Sequence, residues 1–130
     1  MKVVLGSDEA TDLTSAVRVD LARRGHSVTV VGPPAGEDKE WVAVGLEVGR
    51  EVAGGDADFG VLFCWTGTGA SIAANKVPGI RAALCSDAGT AEGARKWNDA
   101  NVLVMSLRLV SPPIASEMLD VWFTTSPDPS

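Results

Sequence analysis

The chain has 130 residues, of which 45% are hydrophobic and 22% charged. This is the size and balance of one folded globular domain, and it excludes a disordered chain. Lys plus Arg number 11 against 17 Asp plus Glu, and the resulting net charge of −6 argues against salt-driven binding to nucleic acid or an anionic membrane.

In chain order, Met1 to Leu5 is an apolar run ending in Gly6-Ser7-Asp8, which predicts a buried strand followed by a loop. Leu13, Val17 and Leu21 recur every four residues before Gly25, which predicts an amphipathic helix with a C-terminal stop. Val28 to Val31 reads as the second strand and the polar segment from Ala35 to Lys39 as a loop. Trp41, Val44, Val48 and Val52 share helical spacing, closed by Gly54-Gly55. Phe59 to Cys64 is the third strand, followed by a Gly-rich turn and a short helical stretch from Ser71 to Asn75. Arg81 to Cys85 is the fourth strand. Asp87 is placed as the N-cap of a helix to about Lys96. Val102 to Met105 is the fifth strand, and Ser111-Pro112 starts a last helix through Phe123.

Continuously apolar strands alternating with helices predict a parallel sheet covered on both faces. The fold class is therefore α/β, a Rossmann-like three-layer sandwich with a five-stranded parallel sheet. Residues 1–125 form a single domain, and the Pro- and Ser-rich tail 126–130 is expected to fray. No stretch is long and apolar enough for a membrane span, and the N-terminus has no signal-peptide pattern, so the expected location is cytoplasmic.

Ligands of such sheets bind beyond the carboxyl ends of the strands. Three loops there carry polar groups: Gly6-Ser7-Asp8-Glu9, Cys64-Trp65-Thr66-Gly67-Thr68-Gly69, and Ser86-Asp87. Glycines at a strand-to-helix junction let backbone N–H groups converge on an anion. The other reading of Gly67 and Gly69 is a tight turn that needs glycine for its backbone alone. The loop is neither a Walker loop nor a dinucleotide fingerprint, because it lacks the Gly-Lys-Ser/Thr and the third glycine.

Cys64 opens this loop, where amides and a helix N-terminus favour an anionic sulfur able to act as base or nucleophile. Cys64 and Cys85 also read simply as two buried thiols, since each ends an apolar run. The single His26 sits before the second strand, at the opposite edge, and reads as an ordinary surface residue.

At this point the chain resembles the type B ribose-5-phosphate isomerases and the related galactose-6-phosphate isomerase subunits. The matching residues are Gly6-Ser7-Asp8, Ala57 to Leu62, Cys64-x-Thr66-Gly67-x-Gly69, Ser71 to Lys76, Pro78 to Cys85, Asn98-x-Ala100-Asn101-Val102-Leu103 and Arg108-Leu109. The resemblance implies a homodimer with shared active sites, or a tetramer built from it. It also implies aldose–ketose isomerisation of a sugar or sugar phosphate through an enediolate, with no metal and no cofactor. Cys64 would be the base, and Thr66 with the Gly67, Thr68 and Gly69 turn would hold the developing oxyanion. Asp8, Glu9 and Ser71 would contact substrate, as would Trp97, Asn98 and Arg108, several of them from the second subunit. A Glu base used by one branch of the family falls on Ala70 here.

The departures concern the substrate. Glu9 and Trp97 stand where relatives have His, Trp65 where they have Gly, and Glu40-Trp41-Val42 where they have Asp-Tyr-Pro. A pair of phosphate-gripping arginines in the family's tail is not matched before Ser130. An added carboxylate and fewer cations disfavour a dianionic phosphate. Two indoles make the pocket smaller or more apolar if both face it; otherwise Trp65 covers the core or an interface and Trp97 caps a helix. The alternative function is a non-catalytic ligand-binding or structural subunit that retains the isomerase fold.

Overall fold

The computed structural model describes residues 1–129; Ser130, the last residue of the tail, lies outside the described residues. Among the described residues five strands and five α-helices alternate: β1 (Lys2–Ser7), α1 (Asp12–Arg23), β2 (Ser27–Val31), α2 (Trp41–Ala53), β3 (Phe59–Cys64), α3 (Thr68–Asn75), β4 (Ala82–Leu84), α4 (Ala88–Asn98), β5 (Val102–Ser106) and α5 (Pro112–Thr124). All strand pairs are parallel, in the order β2-β1-β3-β5-β4. The predicted α/β three-layer class is the observed one.

The two-residue period of a strand divides the core. Val3, Leu5, Val61, Phe63, Leu103 and Met105 face α1, α4 and α5. Val4, Leu62, Cys64, Val102 and Val104 face α2 and α3. This alternation puts Cys64 on the α3 side of the sheet. The central strands β1, β3 and β5 are almost wholly buried. Edge strands β2 and β4 are only partly covered, so continuous burial holds for the sheet's middle and not for its margins.

Local signals placed several boundaries. The Thr11 side chain accepts from the Thr14 amide and the Thr14 hydroxyl accepts from the Thr11 amide, a capping box at the start of α1. Asp87 caps α4 through the Thr90 amide at 2.7 Å, and Ser111 caps α5, with Pro in its first turn. A single 3₁₀ turn, Pro33–Ala35, leads into the segment expected as a loop.

Two differences bear on the site. First, α3 begins at Thr68, three residues before the predicted helical stretch. Gly45 and Gly49 of α2 let it pack close; a Cβ at Gly45 would stand 2.8 Å from the Ala73 Cβ, and one at Gly49 2.9 Å from Val77 Cγ2. Second, β4 is shorter than Arg81–Cys85. Its outer edge is closed by Asn75, whose Oδ1 accepts from the Ala82 N–H at 2.8 Å and whose Nδ2 donates to the Ala82 carbonyl at 3.0 Å. Asn101 does similar work, accepting from the Arg81 N–H and donating to the Gly79 carbonyl. These two asparagines of the motif thus serve the fold.

The tail runs back along α4, where the Asp128 N–H donates to the Lys96 carbonyl at 2.8 Å. His26 is half-buried, stacked 4.1 Å from the Phe123 ring and 3.3 Å from the terminal amine. Burial and the neighbouring positive charges hold its pKa below the ordinary value. No helix among the described residues is long and apolar enough to cross a membrane.

Candidate active site

The strand order changes direction between β1 and β3: the chain moves to β2 on one side and toward β5 and β4 on the other. A crevice opens beyond the carboxyl ends of strands at such a point. Here it is a cavity of about 290 Å³ lined by Asp8, Trp41, Cys64, Trp65, Thr66 and Gly69.

Cys64 ends β3, paired with Ser106, and only 5% of it is exposed. Its Sγ accepts the Ala70 N–H at 3.5 Å. Ala70 lies in the first turn of α3, whose leading amides have no partner within the helix. The sulfur therefore sits in the positive field of a helix N-terminus, which favours negative charge at that point. Gly67 caps the helix at φ 83°, a conformation that side chains rarely adopt, and a Cβ there would stand 2.4 Å from Leu84 Cδ1. Gly67 is thus required by conformation, while the exposed Leu84 side chain could move aside. Thr66 is exposed, and its hydroxyl accepts from the Thr68 amide at 3.4 Å.

The loop before this cavity is fixed from β1. Ser7 Oγ donates to the Glu9 carbonyl at 2.6 Å and accepts the Glu9 amide at 3.2 Å. Asp8 is held between them, half-buried, with Oδ1 buried and without a hydrogen-bond partner. Burial pushes its carboxyl up from the ordinary 3.8, its own backbone N–H opposes this, and Glu9 adds to it. An unpaired acceptor beside Cys64 is placed to take a substrate hydroxyl.

The raised Asp8 value fixes a sign. A carboxyl that holds its proton more tightly when folded contributes stability below the unfolded value, and this is lost as pH rises through the folded value. We expect Asp8→Asn to raise Tm at neutral pH, with the gain shrinking as pH falls toward 3.8. The same change should weaken turnover by about tenfold to a hundredfold through the lost charged hydrogen bond. Thermal melts at several pH values and steady-state rates check both; a destabilised variant at neutral pH would refute the assignment.

The other expected residues divide into groups. Arg108 lines an adjoining cavity of about 310 Å³ with Thr66, Ser86, Ser106 and Cys85. No ion pair among the described residues engages Arg108. Cys85 is buried and its thiol is pushed up to about 12, so it is an inert neighbour. Glu9, Thr68 and Ser71 flank the loops without lining the Cys64 cavity. Trp97 and Asn98 lie apart from it in the single chain, on a groove of about 730 Å³ with Arg81, Lys96 and Asp128. Trp97 is 72% exposed, with its ring folded back on Gly93. Within one chain Trp65 and Trp41 line the cavity, and Trp97 does not. In the sequence Trp41 stands out as a departure from the family pattern but not as a cavity residue, because its spacing matches the buried valines of α2.

A family model described as Ribose/Galactose Isomerase matches residues 3–130. The chain belongs to that family. This isomerase is 37% identical to Ribose-5-P isomerase B of Listeria innocua, over 94% of the chain and 83% of the relative. It is 36% identical to D-erythrulose-4-phosphate isomerase of Pectobacterium atrosepticum, over 94% of the chain and 82% of the relative. Among solved structures, Ribose-5-Phosphate Isomerase B of Clostridium thermocellum superposes with a TM-score of 0.93 at 36% identity, covering 100% of this chain and 88% of that one. By membership the chain is an aldose–ketose isomerase. Its departures from the family pattern now have places: Trp65 and Trp41 on the cavity wall, Glu9 beside Asp8, and Trp97 on a separate face.

Proposed function

We propose that the isomerase interconverts the aldose and ketose forms of a sugar phosphate through an enediolate, with Cys64 as the base. The observation that carries this reading is the Ala70 N–H on Cys64 Sγ at 3.5 Å, in one cavity with Asp8 and Thr66. The thiolate removes the proton from the carbon beside the carbonyl. The C–H electron pair forms the carbon–carbon double bond, and the carbonyl pair moves onto oxygen. Thr66 and the amides of the Gly67–Gly69 turn receive that charge, fixed donors being an efficient way to lower such a barrier. The Cys64 thiol then returns the proton to the former carbonyl carbon, while the neighbouring hydroxyl gives its proton to the oxyanion. Asp8 holds a substrate hydroxyl, and Arg108, across Thr66, takes the anionic end.

The assembly proposed is a homodimer in which a second copy brings Trp97 and Asn98 to the site. Two features support it: these residues stand away from Cys64 within one chain, and Trp65, Ile72, Leu84 and Leu109 leave large apolar side chains exposed, which a partner surface would cover.

The test is solvent-proton exchange in heavy water with a panel of aldoses, ketoses and their phosphates. Deuterium should enter at the carbon beside the carbonyl. Shared sites add a second result: mixing Cys64→Ala with Asn98→Ala chains should restore activity that neither variant has alone. Absence of exchange with every compound would favour a non-catalytic binding subunit.

A further inference from the structure

We propose that Trp41 sets the length of substrate this isomerase accepts, making a four-carbon chain the preferred size; this rests on the isomerase reading above. Trp41 is the first residue of α2, so it emerges at the sheet edge where the site lies. Val44, Val48 and Val52 share its helix stripe and are buried, whereas Trp41 is 42% exposed. The one member of the stripe outside the core is the one that lines the Cys64 cavity.

Its indole is wedged against the loop that carries the oxyanion amides. A Cβ built on Gly69 would meet three ring atoms of Trp41 at 2.9 to 3.1 Å. The absence of a side chain at Gly69 is therefore what lets the ring lie close to the reacting centre. Trp65 forms another part of the wall. Its backbone is fixed, since the Ser106 hydroxyl and the Arg108 amide both donate to its carbonyl, but 56% of the residue is exposed. Trp41 is the more enclosed of the two rings and the one in contact with the glycine turn.

The Cys64 cavity holds about 290 Å³ and shares Thr66 with the Arg108 cavity of about 310 Å³. With Cys64 and Thr66 committed to the enolising pair of carbons and the anionic end directed across Thr66 to Arg108, the room on the Cys64 side is bounded by the Trp41 face. An aromatic wall suits the C–H face of a short chain and obstructs a longer one.

The experiment compares kcat/KM for D-erythrose 4-phosphate and D-galactose 6-phosphate in the wild type, Trp41→Phe and Trp41→Ala. The wild type should favour the four-carbon compound, and Trp41→Phe should keep that preference. Trp41→Ala should shift the ratio toward the six-carbon compound by about tenfold or more, the scale on which a pocket wall discriminates added methylenes. A ratio in Trp41→Ala within about twofold of wild type, even with both rates reduced, would assign the ring a merely structural part and overturn the proposal. A wild-type preference for the six-carbon compound would overturn it too. Failure of the parent reading is distinct: the wild type would then exchange no proton with any compound of the panel, whereas exchange confined to five-carbon compounds would overturn the length proposal alone.

Discussion

Replacing Cys64 by alanine should reduce isomerisation and solvent-proton exchange together by about a hundredfold to ten-thousandfold, the usual contribution of a positioned base. The fold should survive this change. Residue 64 is held by its backbone, through the pairing of β3 with β5 and the Leu107 N–H on its carbonyl at 3.0 Å. The side chain is small, so the void left is modest. Cys64→Ser sharpens the result: a hydroxyl of similar size can keep the Ala70 contact but ionises far less readily than a thiol, so it should be nearly as inactive as alanine. Full exchange in the serine variant would move the base to Asp8, the other titratable side chain of the cavity. Loss of exchange with intact unfolding cooperativity would keep it at Cys64.

Much of this arrangement could be read in the sequence because it depends on short-range rules. The strand-to-loop transitions at Ser7 and Cys64 are local, and parallel pairing of β1 with β3 brings their carboxyl ends side by side. Asp8, Cys64, Thr66 and Gly69 therefore meet once these two strands are neighbours, a long-range pairing that the local signals do not supply. Side chains that depend on packing between elements were harder. Thr68 and Gly69 are weak helix formers, so the start of α3 looked like turn; contact with Gly45 and Gly49 of α2 makes it helix. Trp41 keeps perfect spacing with three core valines, and nothing in that period reveals that the first turn of α2 overhangs the cavity. Trp97 shows the converse limit. The sequence pattern predicts a helix ending at about Lys96, and α4 runs on to Asn98; in the proposed dimer it is the second copy that would bring the Trp97 ring to Cys64.

The site also rests on a support far from it, which carries the largest stability prediction. Trp122 of α5 is 1% exposed and meets the Phe59 ring edge-on at 5.9 Å. Phe59 is the first residue of β3, the strand that ends at Cys64. The Arg95 guanidinium lies 4.8 Å from the Phe59 ring and 5.6 Å from that of Trp122, and Nη1 donates to the Ala100 carbonyl at 2.6 Å. Emptying this place removes a large transfer contribution and leaves a cavity, so Trp122→Ala should cost about 3–5 kcal/mol, a large share of the 5–15 kcal/mol typical of a domain. The indole nitrogen is different, for Trp122 Nε1 is buried without a partner. Trp122→Phe keeps an aromatic ring and deletes an unsatisfied donor, so its loss should be less than half that of alanine. Urea unfolding measures both. Because Trp122 touches no part of the cavity, kcat/KM of the folded fraction should stay near wild type in each variant. A Trp122→Ala chain within about 1 kcal/mol of wild type would mean that α5 is not docked as described, since full burial of an indole is worth more than that.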